Sequence, residues 1–178
     1  MKIRKAKEQD VYALLNIYNY EVEHGVSTLD LHPRTLPEWQ QWFKVHTTRI
    51  HPIYVAELEE GDAAAAAKEM QAGMIAGYAS LSPYRDKEAY CSTVELSVYI
   101  SPNCRRMGIA AKLMEFLLEQ ARQEEEIHTV VSVITSGNEA SEKLHKKFGF
   151  TFCGTIPEVG MKFGVYQSID NYSLQVEA

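Results

Sequence analysis

Residues 94–119, VELSVYISPNCRRMGIAAKLMEFLLE, constrain the fold more than any other part of the chain. The first third is rich in β-branched residues, and Val94, Leu96, Val98 and Ile100 share one strand face because strand side chains repeat with period two. Ser101-Pro102-Asn103 breaks the run. After Gly108, Ile109, Leu113, Phe116 and Leu117 recur at helical spacing, a stripe that packs back onto a sheet. A strand turning straight into a helix aims unpaired N–H groups and the positive end of the helix dipole out of the turn. Arg105-Arg106-Met107-Gly108-Ile109-Ala110 therefore reads as an anion site that suits a pyrophosphate. Small residues at Gly108 and Ala110 let phosphates approach the backbone, and Arg105, Arg106 and Lys112 supply local positive charge.

That local charge matters because the whole chain carries a formal net charge of −6, which argues against nucleic acid as a general partner. At 178 residues the chain is expected to be one domain, 1–178, with a full core. No apolar run approaches membrane-spanning length and MKIRKAKEQD is not a signal peptide, so a cytoplasmic protein with no membrane partner is expected. Cys91, Cys104 and Cys153 form no C-x-x-C pair and read as reduced thiols. The six histidines show no metal spacing, so no metal is expected.

In chain order, residues 2–5 read as a strand, 10–23 as a helix and 25–35 as a loop before a second helix opened by Pro37. Trp39, Trp42 and Phe43 give that helix an aromatic face, read as core. Residues 53–58 and 74–81 read as strands, with 59–73 a surface insertion that includes an alanine run. Residues 129–134 are a buried strand, and 138–150 a helix stopped by Gly149. Residues 150–153 and 165–174 complete the strands, with 157–164 as the turn between them. The expected fold is α/β, a mixed sheet with helices on both faces, whose two central strands part after Ile100 to admit a ligand.

Arg105-x-x-Gly108-x-Ala110 after a strand resembles the acetyl-CoA signature of the GNAT superfamily of N-acetyltransferases. Asn138-x-x-Ser141-x-x-Leu144-His145-x-x-Phe148-Gly149-Phe150 resembles its second signature. Ile17-Tyr18-Asn19, Thr93-Val94-Glu95-x-Ser97-Val98-Tyr99, Leu144-His145 and residues 157–164 further resemble phosphinothricin and methionine sulfone/sulfoximine N-acetyltransferases. The resemblance implies the GNAT fold and acetyl-CoA as co-substrate. It places acetyl-CoA along the backbone of Leu96, Ser97 and Val98, with its pyrophosphate at residues 105–110 and Asn138 in contact. A strand edge of this kind can bond the pantetheine amides as a neighbouring strand would. Lys143, Lys146 and Lys147 read as a solvated helix face that could extend the basic patch.

An α-ammonium group of pKa ~9 is only about 1% neutral at pH 7, a cost of roughly 2.7 kcal/mol, so a base is needed. The resemblance assigns that role to Glu95. An ordinary glutamate is too weak, so burial must raise its pKa or a water must relay the proton. His145 is the implied proton donor to the leaving thiolate, if its pKa is near normal; packing is the alternative. Cys104 reads as incidental, since direct transfer needs no enzyme nucleophile. Arg85, Thr93, Val94 and Glu95 are the implied acceptor contacts, with Arg85 clamping an acidic group. Departures from the pattern sit mainly on the acceptor side: Leu29 for an aromatic residue, Tyr166 for tryptophan and Ser168 for aspartate. Arg106 also stands where glycine is usual. The expected function is acetyl transfer to the amine of a small amino acid or analogue, and the resemblance implies a homodimer. A protein-amine acceptor and a non-catalytic acyl-CoA-binding module are the alternatives.

Overall fold

The computed structural model describes residues 1–62 and 70–176. Its strands are β1 (Lys2–Lys5), β2 (Ile53–Glu57), β3 (Ile75–Pro83), β4 (Thr93–Ile100), β5 (Thr129–Thr135), β6 (Thr151–Lys162) and β7 (Val165–Gln175). The helices are α1 (Val11–His24), α2 (Leu36–Val45), α3 (Ile109–Arg122) and α4 (Glu139–Lys147). One sheet runs in the order β1-β2-β3-β4-β5-β7-β6, and β4 against β5 is its parallel pair. This is the mixed α/β architecture expected from the sequence.

Period-two alternation sorts the strand residues onto two faces. Val94, Leu96, Val130 and Ile134 face α3, whose Ile109, Leu113, Met114, Leu117, Leu118 and Ala121 are buried in the same cluster. Each such Leu contributes about 1.5–3 kcal/mol on burial. Phe116, expected in that stripe, is half-buried and meets Tyr54 edge-on at 4.9 Å. The other face packs Val55, Ile75 and Tyr78 against Leu14, Trp39 and Phe43 of α1 and α2. Thr35 and Glu38 form a capping box that starts α2, with Pro37 in its first turn.

Two expectations are corrected. The central strands part not after Ile100 but after Glu95, since β4–β5 pairing ends at Glu95↔Val131. β4 keeps β3 as a partner as far as Gly77↔Ile100, so its alternation persists beyond the point of parting. Residues 157–164 are mostly not a turn: β6 continues to Lys162. Its register shifts between Ile156 and Gly160, where Glu158 takes φ 49°. Pro157 is tolerated because β6 is an edge strand, and the real turn is Phe163-Gly164, both with positive φ.

Residues 63–69 of the expected insertion lie outside the described residues. On its two flanks, Asp62 accepts from the N-terminal ammonium at 2.7 Å and Gly73 N–H donates to Leu58 O at 2.8 Å. Among the described residues, no helix is long and apolar enough to cross a membrane.

Candidate active site

The site is built around the parting of β4 and β5. Leu96 O lies 3.5 Å from Ser132 Oγ, so the Leu96 backbone points across the gap. By alternation the backbone of Val98 points the same way, while Ser97 pairs with Ser80 of β3. An unpaired strand edge is thus available along Leu96–Val98, on which an extended amide-bearing ligand can pair.

At the end of β4 the chain makes a short 3-10 turn at Pro102–Cys104 and enters α3 through Gly108. Gly108 has φ 72°, and a Cβ there would meet nothing within 4 Å. Its requirement is conformational, therefore, and the space above it is open to phosphates. Arg106 takes φ 65°, which explains why glycine suits that position and shows that arginine can hold the turn. The first-turn N–H groups of Ile109 and Ala110 lie at the positive end of a 14-residue helix. Ile109 is buried and Met107 packs against the core, so both anchor the turn. The Arg105 guanidinium is ion-paired with Glu21 of α1 and lies 5.6 Å from the Tyr20 ring centroid. Asn138 caps α4, its Oδ1 accepting from Ser141 N–H at 3.2 Å.

On the opposite face, under α1 and α2, lies a cavity of about 560 Å³. Its floor is a ladder of cross-strand pairs: Tyr78↔Tyr99, Ser80↔Ser97 and Ser82↔Glu95. Trp39 and Trp42, expected as core, are stacked at 4.4 Å and also wall this cavity. Two buried polar atoms of its lining residues, Trp39 Nε1 and Tyr78 Oη, have no hydrogen-bond partner among the described residues. Glu95 is the last β4 residue paired with β5, and it lines the cavity where the sheet opens. Burial raises its pKa above the ordinary glutamate value, the direction a base for an ammonium requires.

The loop over this cavity is held from several sides. Lys162 Nζ, buried, donates to Thr28 O at 2.8 Å and Glu21 O at 3.3 Å. Thr135 Oγ1 donates to Val26 O. Asn19 brackets the Arg34 backbone, donating to its O at 2.9 Å and accepting from its N–H at 2.8 Å. Arg34 lines the cavity with its Nε on Asp30 at 2.7 Å. Leu29 lines it too, and a Cβ on Gly160 would lie 3.2 Å from Leu29 Cδ1.

His145 lies on the α3–α4 face. Its Nδ1 is 2.8 Å from Ser141 O, so that nitrogen carries the proton. Its Nε2 is 2.8 Å from Ser132 Oγ, the hydroxyl that also approaches Leu96 O across the gap. Burial lowers the pKa of His145, outweighing the Ser141 bond, so the sequence premise of a near-normal value does not hold.

The remaining expected residues scatter. Val94 is fully buried on the α3 face, and of Thr93, Val94 and Glu95 the cavity is lined by Glu95. Arg85 is exposed, its guanidinium 4.8 Å from the Tyr84 ring centroid and outside the cavity lining. Lys143 and Lys146 pair along α4 with Glu139 and Glu142, as a solvated face does. Tyr166 is exposed, and Ser168 Oγ accepts from Glu158 N–H at 3.1 Å. Arg34, Ser82 and Ser132 were not singled out by sequence; a lone serine or arginine carries no periodic signal.

The chain is similar to known acetyltransferases. Residues 28–150 match the model of the acetyltransferase (GNAT) family. The chain is 35% identical to phosphinothricin N-acetyltransferase of Streptomyces coelicolor, over 97% of this chain and 94% of that protein. It is also 35% identical to L-methionine sulfoximine/L-methionine sulfone acetyltransferase of Pseudomonas aeruginosa, over 98% and 94%. Its fold superposes with a TM-score of 0.88 on a GNAT superfamily phosphinothricin acetyltransferase from Sinorhizobium meliloti solved with acetyl-CoA. That protein is 27% identical, and the match covers 99% of this chain and 88% of the other.

Proposed function

The chain belongs to the acetyltransferase (GNAT) family and is an acetyl-CoA-dependent N-acetyltransferase, and we propose that its acceptor is the amine of a small amino acid or close analogue. Methionine sulfone, methionine sulfoximine and phosphinothricin are the analogues that its relatives suggest. The observation that carries the reading is the position of Glu95, which lines a cavity of amino-acid size beside the gap in the sheet.

In this reading acetyl-CoA enters from the α3–α4 face. Its pyrophosphate rests on residues 105–110, its pantetheine pairs with the edge Leu96–Val98, and Asn138 closes the groove. The acceptor enters from the α1–α2 face, and its ammonium gives a proton to Glu95. The amine then attacks the thioester carbon through the gap, and the carbon–sulfur bond breaks towards the other face. There His145 acts through Ser132. In the imidazolium form, Nε2–H donates to Ser132 Oγ and frees that hydroxyl's own proton for the thiolate. A lowered pKa makes this imidazolium a stronger acid, though a scarcer one.

Arg34, in the cavity wall, is the first candidate to grip the acceptor's acidic group; Arg85, just beyond the end of β3, is the second. The reading also takes the enzyme to be a cytoplasmic homodimer. Exposed free Cys91 and Cys153 suit a reducing compartment. Phe152, Ile156, Val159, Met161, Phe163 and Tyr166 of the β6–β7 hairpin, each 46–61% exposed, offer an apolar face for a second copy.

Release of coenzyme A thiol across a panel of amines tests the acceptor. Turnover should be best with amino-acid analogues that carry an acidic or sulfone group. Preference for a peptide N-terminus would transfer the reading to protein amines, and no turnover on any amine would favour an acyl-CoA-binding module.

A further inference from the structure

His46, just after α2, is 4% exposed and lies 4.3 Å from the Trp42 ring between centroids. Its Nδ1 is 2.7 Å from Trp42 O. A carbonyl only accepts, so Nδ1 carries the ring proton. Nε2 of the neutral ring is then a lone pair, and Ser82 Oγ, 2.8 Å away, must donate to it. Burial, the largest influence on His46, lowers its pKa and favours that neutral form.

The consequence reaches the cavity. With its proton committed to His46, Ser82 has only lone pairs to offer the space it lines. Its cross-strand partner is Glu95, on the same face of the sheet. His145 and Ser132 repeat the arrangement on the other face, with Nδ1 on a carbonyl four residues back and Nε2 on a serine.

We propose that His46 is a positioning residue that turns the Ser82 hydroxyl away from the cavity, so that Ser82 and Glu95 present two acceptors and select an amine over a hydroxyl. This rests on the reading that the cavity holds the acceptor. A bound ammonium has N–H donors for both oxygens, and after giving one proton to Glu95 it still donates to Ser82 while its lone pair is freed for the thioester. An alcohol has one O–H and leaves an acceptor unpaired, a discrimination that hydrogen-bonding sites make strongly.

The test is calorimetric binding of methionine sulfone and of its 2-hydroxy counterpart, in the presence of coenzyme A. It compares the full-length wild type, His46→Phe, Ser82→Ala and the double variant. The wild type should prefer the amine by roughly 10-fold or more, the scale of one hydrogen bond to a charged group. Either single variant should lose most of that preference, and the double variant should lose no more than Ser82→Ala. Acetyl-CoA affinity should be unchanged in all. Nitrogen NMR of labelled histidine should show His46 protonated at Nδ1 and bare at Nε2. If His46→Phe does not fold, Ser82→Thr should keep the preference that Ser82→Ala loses. An Nε2-protonated His46, additive losses in the double variant, or an unaltered preference in Ser82→Ala would overturn the proposal. Equal affinity of the wild type for amine and hydroxy compound overturns it alone. Absence of binding by either compound, with acetyl-CoA still bound, overturns the acceptor reading and this proposal together.

Discussion

Glu21 of α1 and Arg105 of the turn before α3 form an ion pair, joining the helix that covers the acceptor cavity to the turn read as the phosphate site. Glu21 is buried, whereas Arg105 is half exposed. Removing the guanidinium leaves a buried carboxylate short of a counter-charge. Arg105→Ala should therefore cost about 1–3 kcal/mol, below the ~3–5 kcal/mol of a fully buried pair because water screens this one. Glu21→Gln added to Arg105→Ala should restore part of the loss. Thermal unfolding of the three variants checks this, and a double variant weaker than Arg105→Ala would contradict it.

Gly108 separates backbone need from ligand space. Its φ of 72° with open surroundings means that Gly108→Ala meets strain of about 1–2 kcal/mol but no clash. Acetyl-CoA at 100 times its dissociation constant should add about 2.7 kcal/mol to the wild type and to this variant. Gly108→Asp should lose that stabilisation, because its carboxylate faces the phosphates. Thermal shifts with and without acetyl-CoA measure both.

Arg34 and Arg85 can be separated kinetically. Arg34→Lys keeps the charge but loses the planar fork, so it should raise KM for amino-acid acceptors by roughly 10-fold or more. KM for acetyl-CoA should not move. Arg85→Lys, altering an exposed side chain on Tyr84, should have the smaller effect. The reverse order would return the grip to Arg85.

Much of this was legible in the chain, and the misses share a cause. Alternation in β4 and the helical stripe of α3 report burial, so they located both elements. They could not report where β5 leaves β4, because β3 keeps the pattern intact to Ile100. Pro157 and Gly160 read as a turn, yet an edge strand accommodates both through a register shift. The sequence places Tyr18 and Asn19 on a helix and Lys162 in a turn, but their work is tertiary, pinning the loop over the cavity. Arg34, Ser82 and Ser132 act through distant partners, such as Asn19, His46 and His145. No spacing in the sequence encodes those pairings.

His145 makes a pH prediction. Its folded pKa is lowered, so its contribution to stability is present above the unfolded value near 6.5 and is lost as pH falls through the lower folded value. His145→Phe should flatten that acid loss of stability. If imidazolium supplies the thiolate's proton, wild-type kcat should fall above the lowered pKa, and His145→Phe should lack that limb. Its kcat should be ~10²-fold lower. An unchanged alkaline limb in the variant would leave His145 as a packing residue.

The central claim is that the acceptor amine gives its proton to Glu95 at the opening of the sheet. Burial raises the Glu95 pKa, so this group's contribution to stability is present below the unfolded value near 4.5 and lost as pH rises through the folded one. Glu95→Gln should therefore leave the protein at least as stable at pH 7. The most direct measurement is kcat/KM against pH for wild type and Glu95→Gln, corrected for the fraction of protonated amine. The account predicts a wild-type acid limb with an apparent pKa above 4.5. In the variant that limb should vanish and the rate should fall about 10²- to 10⁴-fold, with acetyl-CoA binding intact. The same limb and a near wild-type rate in Glu95→Gln would contradict it.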